Sequence, residues 1–324
     1  MLVYCGAVVP GARCARRLIT LPRLSWVAFG VNPAGNDECL LVVTFGLASK
    51  LWVDRLGSKA LGESGHRRTS RSTPYMNIHA NLANVSDAER QARVDLAAVY
   101  RLCAHYGWDD LIYNHCAMRV PGQGDTFLMK RHELLWSEVT ASNLVKVDMH
   151  ADLDERAGVN RPGFTLHGGV LKGRPDVNCS VHVHTEWGMA LSGLKGGLRM
   201  VSQQATRFYE RVGYHPYEGI TEDFSERERI LAHLGKNRAL ILHNHGLLTV
   251  GKSAREAFVL MKYLLSAAEI QIRMEATGGE VIEIPVSVCE KVAVQYEAHD
   301  SGRGSADWPA YLRMLDRIDP GYRD

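Results

Sequence analysis

The sequence predicts an α/β domain built on a mixed sheet. From Ser86 onward, helical and strand-like patterns interleave irregularly, without the strict alternation that marks a doubly wound parallel sheet. Pro121-Gly122-Gln123-Gly124-Asp125 joins two successive strand patterns as a hairpin turn, which requires an antiparallel pair. In a chain that is 46% apolar overall, the roughly 240 residues after the first 75 can bury one sizeable core. That stretch shows no internal repeat and no low-complexity tract.

Taken in order, Ser86-Asp87-Ala88-Glu89 is a capping box that opens a helix. Val94, Ala97, Ala98 and Leu102 recur at helical spacing, and Gly107 offers the stop. The box returns at Ser225-Glu226-Arg227-Glu228, closing at Gly235, and at Ser253-Ala254-Arg255-Glu256. The last opens a long helix with Ala257, Met261, Leu264, Leu265, Ala268 and Ile272 on one face. Strands are predicted over 111–120, 126–129, 144–149, 180–184 and 238–242.

The first 75 residues differ in composition. They hold 10 Lys and Arg against 4 Asp and Glu, leaving 28 basic and 32 acidic of the chain's 38 and 36 for the remainder. An Arg-rich, acid-poor start is shared with transit peptides, but those are also Ser-rich and this stretch is not. The apolar run from Leu40 to Ala48 stops at Lys50, well short of the ~20 residues a membrane span needs. Residues 62–75 are polar, basic and aperiodic, as a disordered linker would be. Residues 1–85 are therefore read as an extension outside the domain, disordered or lying upstream of a natural start at Met76. Residues 86–290 form the domain, and 291–324 a C-terminal tail.

Seven Cys, with no Cys-x-x-Cys and three of them (Cys5, Cys14, Cys39) in the extension, point to reduced thiols and a cytoplasmic setting. A net charge of +2 gives no reason to invoke nucleic acid or a membrane surface.

Two histidine segments carry the chemistry. In Cys179-Ser180-Val181-His182-Val183-His184, residues two apart on a strand share a face, so His182 and His184 project together. A second strand runs into His243-Asn244-His245-Gly246 and delivers a third imidazole, from His243 or His245. With 14 His in the chain, chance alone gives about half of one His-x-His pair, so one pair means little. Two pairs, each at the polar end of an apolar strand, point to a metal site. Three imidazoles without paired Cys suit an open, catalytic site for Zn, with Mn, Fe or Co as alternatives.

Arg174-Pro175-Asp176-Val177 leading into His182-Val183-His184-Thr185, followed by Asn244-His245-Gly246 and Gly251, resembles the class II aldolase/adducin superfamily. The likeness runs from about Ser86 onward. It implies a three-layer α/β/α domain with a mixed, mainly antiparallel central sheet, and a homotetramer with sites at subunit interfaces. It also implies a divalent metal, typically Zn, on His182, His184 and His245, with a small-molecule substrate.

Where sugar-phosphate aldolases of the family carry a Gly-Asn-x-Ser phosphate loop, this chain reads Asn114-His115-Cys116-Ala117. Asn114 becomes a candidate substrate contact and His115 a candidate acid/base or substrate contact. Thr140-Ala141-Ser142-Asn143 stands at the family's Thr-Pro-Ser-Gly loop, making Thr140 and Ser142 candidate substrate ligands. Tyr311 or Tyr322, in the tail, would match a tail Tyr that reaches a neighbouring subunit's site. The aldolases' catalytic Glu, four residues before the His of the helix preceding Arg-Pro-Asp, is here Gly163, ahead of His167. The resemblance thus implies a metal-dependent carbon–carbon lyase, a decarboxylase or an aldolase, acting on a small hydroxy- or oxo-acid. The alternative is a non-catalytic adducin-like assembly domain, since adducins also carry Gly at that position.

Overall fold

The computed structural model describes residues 27–31, 39–43, 80–151, 158–221, 223–301 and 306–324. The chain divides into two units, Met1–Thr73 and Pro74–Asp324. The described part of the first is an antiparallel hairpin of β1 (Val27–Val31) and β2 (Cys39–Val43), with Val27 opposite Val43. The transit-peptide and linker readings fall on residues outside those described.

The second unit opens with α1 (Asp87–His105), then β3 (His115–Arg119), β4 (Thr126–Met129) and β5 (Val145–Asp148). Helix α2 (Arg161–Gly173), β6 (Cys179–Val183), α3 (Glu186–Ser192), α4 (Gln203–Thr206) and β7 (Val212–His215) follow. Next come α5 (Glu226–Leu234), β8 (Ala239–Leu242), β9 (Gly246–Gly251) and α6 (Ala254–Glu275). Helix α7 (Val286–Ser301) runs from the end of the predicted domain into the predicted tail, which continues with α8 (Asp307–Ile318) and a closing 3-10 turn.

Seven strands make one sheet in the order β5-β4-β3-β6-β9-β8-β7. Every neighbouring pair is antiparallel except β7 with β8, which α5 connects as a crossover. The mixed, mainly antiparallel sheet expected from the sequence is the one observed.

Strand alternation sorts the side chains into two cores. Cys179, Val181 and Val183 of β6, with Ala239, Ile241 and Leu247, face one layer and pack with residues of α1 and α6. Leu240, Leu242, Leu248 and Val250 face the other, with Phe164, Val170 and Leu171 of α2 and Ile230 and Leu234 of α5. Helices therefore cover both faces, and β6 lies buried between β3 and β9.

The caps at Ser86 and Ser253 form, each hydroxyl accepting from the amide three residues on. At Ser225 no side-chain cap forms. That residue is helical, and its hydroxyl donates instead to the Asp223 carboxylate at 2.6 Å, which also accepts from Ser225's own N–H at 2.8 Å. Glu89 is spent on a buried pair with Arg93, whose guanidinium also donates to the carbonyls of Ala141 and Leu144. The strand predicted over 111–120 begins only at His115, because Leu111 and Asn114 adopt left-handed backbone, at φ 52° and 59°.

Helix α6 buries Leu264 completely in the α1/α6 core. Leu264→Ala is expected to cost ~2–5 kcal/mol in urea unfolding, from lost transfer energy and the cavity left behind. Arg93→Leu leaves Glu89 buried with only Lys146 as a counter-charge, and a loss of ~3 kcal/mol is expected in the same measurement.

Candidate metal centre

β6 lies between β3 and β9 with His182 opposite His115 on one side and Leu248 on the other. The alternation that sends Val181 and Val183 into the α1/α6 core turns Ser180 and His182 toward α2. His182 is 1% exposed. Its Nδ1–H donates to the Leu247 carbonyl oxygen at 3.0 Å. A carbonyl can only accept, so the tautomer is set and Nε2 is left as a lone pair. His184 does the same with a different partner, its Nδ1–H donating to Asp110 at 3.3 Å. The two Nε2 atoms then stand 2.9 Å apart.

His245 arrives from the turn between β8 and β9. Asn244 takes a left-handed conformation there, at φ 54°. At Gly246 a Cβ would stand 2.6 Å from the Val183 carbonyl oxygen and 2.9 Å from His184 Cδ2. Glycine is what lets this turn approach the end of β6. The ring of His245 lies 5.0 Å from that of His182 and 4.8 Å from that of His184.

Each of the three imidazoles offers a ligand atom, all within 4.8 Å of one another. His243, indistinguishable from His245 in the sequence, donates from Nδ1 to the Ser192 carbonyl at 3.0 Å and stacks on Tyr214.

The triad suits a divalent ion electrostatically. Burial, then the proximity of His184, holds His182 well below the usual imidazole range and lowers His245 to about 4. Burial also lowers His184, against the opposing pull of Asp110. All three are neutral near pH 7, the ligand form of histidine, and two have their second nitrogen anchored as metal-binding histidines require. Two neutral Nε2 lone pairs facing each other repel, and a cation resolves that contact.

Beside the triad, His115 stacks on His182 with ring centres 5.2 Å apart. Its Nδ1 lies 2.9 Å from His167 Nε2, which is also 3.1 Å from the His115 carbonyl oxygen. His167 Nδ1 lies 2.6 Å from the Ser180 hydroxyl. Burial, then the proximity of His167, pushes His115 well below the usual range, and burial lowers His167 to about 4. A Cβ at Gly163 would fall 2.5 Å from His115 Cδ2 and 2.8 Å from Met129 Cε. The His115 ring occupies the space a side chain at 163 would need.

Asn114 is 3% exposed, and neither its Oδ1 nor its Nδ2 has a partner among the described residues. Thr140 and Ser142 instead form part of a separate turn. Their hydroxyls lie 3.2 Å apart, Thr140 N–H donates to Asn143, and Ser142 N–H donates to the Asp324 carbonyl. Tyr322 is buried in the α1/α6 core, its hydroxyl donating to Asp316 at 2.9 Å, and Tyr311 packs edge-on to Phe258 in that same layer. The structure does not bring either tyrosine to the histidines within this chain.

Asp110, Tyr217 and Lys130 escaped the sequence reading. Tyr217 is half exposed, 6.0 Å from the His245 ring. The buried Lys130 ammonium donates to the carbonyls of Ile112, Arg131, His132 and Leu134, and burial lowers its pKa to about 8. None of these belongs to a spacing pattern. A second grouping, His215, Glu218 and Glu226, is already bonded: Glu218 to Arg229, and Glu226 to Thr221 and His215.

Purified protein is expected to hold about one divalent ion per chain by elemental analysis. His182→Ala or His245→Ala should empty it and His243→Ala should not. Full occupancy in His245→Ala would refute the ligand set.

Residues 94–272 match the profile of the class II aldolase and adducin N-terminal domain. A Pseudomonas aeruginosa protein named for aldolase class 2 is 43% identical over 247 residues, which cover 74% of this chain and 95% of that one. Rat alpha-adducin is 41% identical over 252 residues, 72% of this chain and about a third (34%) of the adducin. The crystal structure of an aldolase II superfamily protein from Pseudomonas syringae superposes with a TM-score of 0.70 at 42% identity, covering 75% of this chain and 98% of that one. With its sheet order, its histidine turns and these likenesses in agreement, the chain belongs to the class II aldolase/adducin family.

Proposed function

We propose that this chain is a divalent-metal-dependent lyase that breaks a carbon–carbon bond in a small hydroxy- or oxo-acid, by decarboxylation or aldol cleavage. The observation that carries the reading is the convergence of His182, His184 and His245, neutral and with two tautomers fixed for metal binding. Zinc suits this donor set best, with Mn, Fe or Co as alternatives. Such an ion, when bound, polarises a substrate oxygen as a Lewis acid.

The surrounding residues favour an acid substrate. Lys130 adds a buried positive charge near His115. Asn114 offers an unpaired buried amide as a substrate contact. There is no room at position 163 for a carboxylate to move a carbon-bound proton, and decarboxylation needs no opening deprotonation of carbon. The hydroxyls of Thr140 and Ser142 are engaged with each other, which weakens the case for a phosphate there. A homotetramer is the assembly we infer, with exposed apolar Leu111, Tyr113 and Leu135 on loops around the Asn114 turn available for burial. A cytoplasmic setting is inferred from buried free thiols at Cys103, Cys116, Cys179 and Cys289. No helix among the described residues is long and apolar enough to cross a membrane.

A second reading, a non-catalytic adducin-like assembly domain, is favoured by the 41% identity to alpha-adducin. A panel of hydroxy- and oxo-acids, with fuculose and ribulose phosphates alongside, separates the two. Turnover of an acid, abolished by a chelator and restored by Zn or Mn, is expected, with the sugar phosphates poor substrates. Robust cleavage of a sugar phosphate would refute the acid-lyase reading. Full metal occupancy without turnover across the panel would favour the assembly reading.

A further inference from the structure

We infer that His115 donates a hydrogen bond, from Nε2–H, to an anionic or oxo oxygen of the ligand held at the triad. This rests on the acid-lyase reading for the class of ligand, and on proton placement in the structure for the donor.

The placement follows from one carbonyl. His167 Nε2 stands 3.1 Å from the His115 carbonyl oxygen, which can only accept, so the proton of His167 is on Nε2. Neutral His167 has one ring proton, so its Nδ1 must accept from the Ser180 hydroxyl at 2.6 Å. The same Nε2–H faces His115 Nδ1 at 2.9 Å, making that nitrogen an acceptor. Neutral His115 therefore carries its own proton on Nε2. The polarity runs one way, from Ser180 through His167 to His115, and ends in a donor.

The hydrogen bond of the His115 ring to His167 runs through Nδ1, which leaves the Nε2–H for a ligand. The ring lies against His182, and its Cδ2 edge fills the space beside Gly163. Packing on both sides fixes its aim, so little rotamer freedom remains to be lost when a ligand arrives. A group presented to His115 must be an acceptor, which selects carboxylate or oxo oxygens over hydroxyl donors. Ser180 and His167 act as positioning residues, and Gly163 makes the room.

The test uses the full chain loaded with Co(II) and glycolate as probe, with affinity read from the cobalt d–d absorption. His115→Ala should weaken glycolate by roughly tenfold or more, the loss of a hydrogen bond to a charged acceptor, with cobalt content unchanged. His115→Asn, whose amide restores an N–H, should stay within about threefold of wild type. His115→Asp, similar in size but acceptor-only, should bind as weakly as His115→Ala. Gly163→Ala, which displaces the ring, should behave like His115→Ala. Ser180→Ala should give a smaller loss and a mixed His115 tautomer in spectra of 15N-histidine-labelled protein, where wild type shows the Nε2–H form.

Equal affinity in wild type and His115→Ala, or His115→Asp binding as tightly as His115→Asn, would overturn the donor role and leave the lyase reading standing. An Nδ1–H tautomer in wild type would do the same. Cobalt-loaded wild type that binds no glycolate would overturn the acid-ligand reading, and the donor role with it.

Discussion

The register of one buried strand governs the rest. β6 pairs with β3 and β9 at once, placing His182 opposite both His115 and Leu248. A slip of one residue would send Val181 and Val183 toward α2 and drive His182 into the apolar α1/α6 core, unpaired. Register is therefore held by the hydrophobic effect on the odd-numbered side chains, while the even-numbered ones are released for chemistry. Ser180, His182 and His184 form a polar row on an otherwise apolar strand, and each of the three has its partner: His167, the Leu247 carbonyl and Asp110. The core on one face fixes the site on the other.

Much of this was legible because the strand period is two and the sequence repeats at two. His182 and His184 could be paired from spacing alone. So could the α6 face, whose apolar residues follow helical spacing and are buried from Ala257 to Ala268, with Ile272 at the end of the helix only partly so. The choice between His243 and His245 could not be made from spacing, because a tight turn decides it. Asn244 reverses the chain, sending His243 to Ser192 and Tyr214 and His245 to the triad. Strands β7 and β9 went unread for related reasons. β7 is four residues long and contains a glycine, and β9 begins inside the histidine turn. Asp110, Lys130 and Tyr217 come from loops whose placement depends on tertiary packing. Capping was legible only in part, since Ser225 carries the pattern but its hydroxyl is turned to Asp223.

Gly163 and His115 are best understood as one feature. From sequence each was a separate departure from the aldolase pattern. In space, a Cβ on residue 163 would overlap the imidazole of residue 115. A side chain at 163 and the present position of His115 exclude each other, so the two departures reinforce one another. The same packing holds Met129 Cε against the first turn of α2 and leaves the ring little freedom to rotate. An imidazole clamped in this way contributes direction rather than flexibility, and direction is what a hydrogen-bond donor at a site requires.

The protein carries an electrostatic cost at its centre that has a natural remedy. Five histidines, His115, His167, His182, His184 and His245, crowd together, and burial disfavours charge on every one. Neutral rings must place their protons so that none meets another, and the fixed carbonyls of Leu247 and His115 determine most of that placement. What remains is the opposed pair of Nε2 lone pairs on His182 and His184, which persists as long as His184 keeps its proton on Nδ1 for Asp110. A divalent ion converts that repulsion into two bonds and supplies the charge that burial denied to the rings. Because the ligands are brought together by the folded sheet, binding such an ion would also favour the native state. The strand register that assembles the site would then be stabilised by what the site binds.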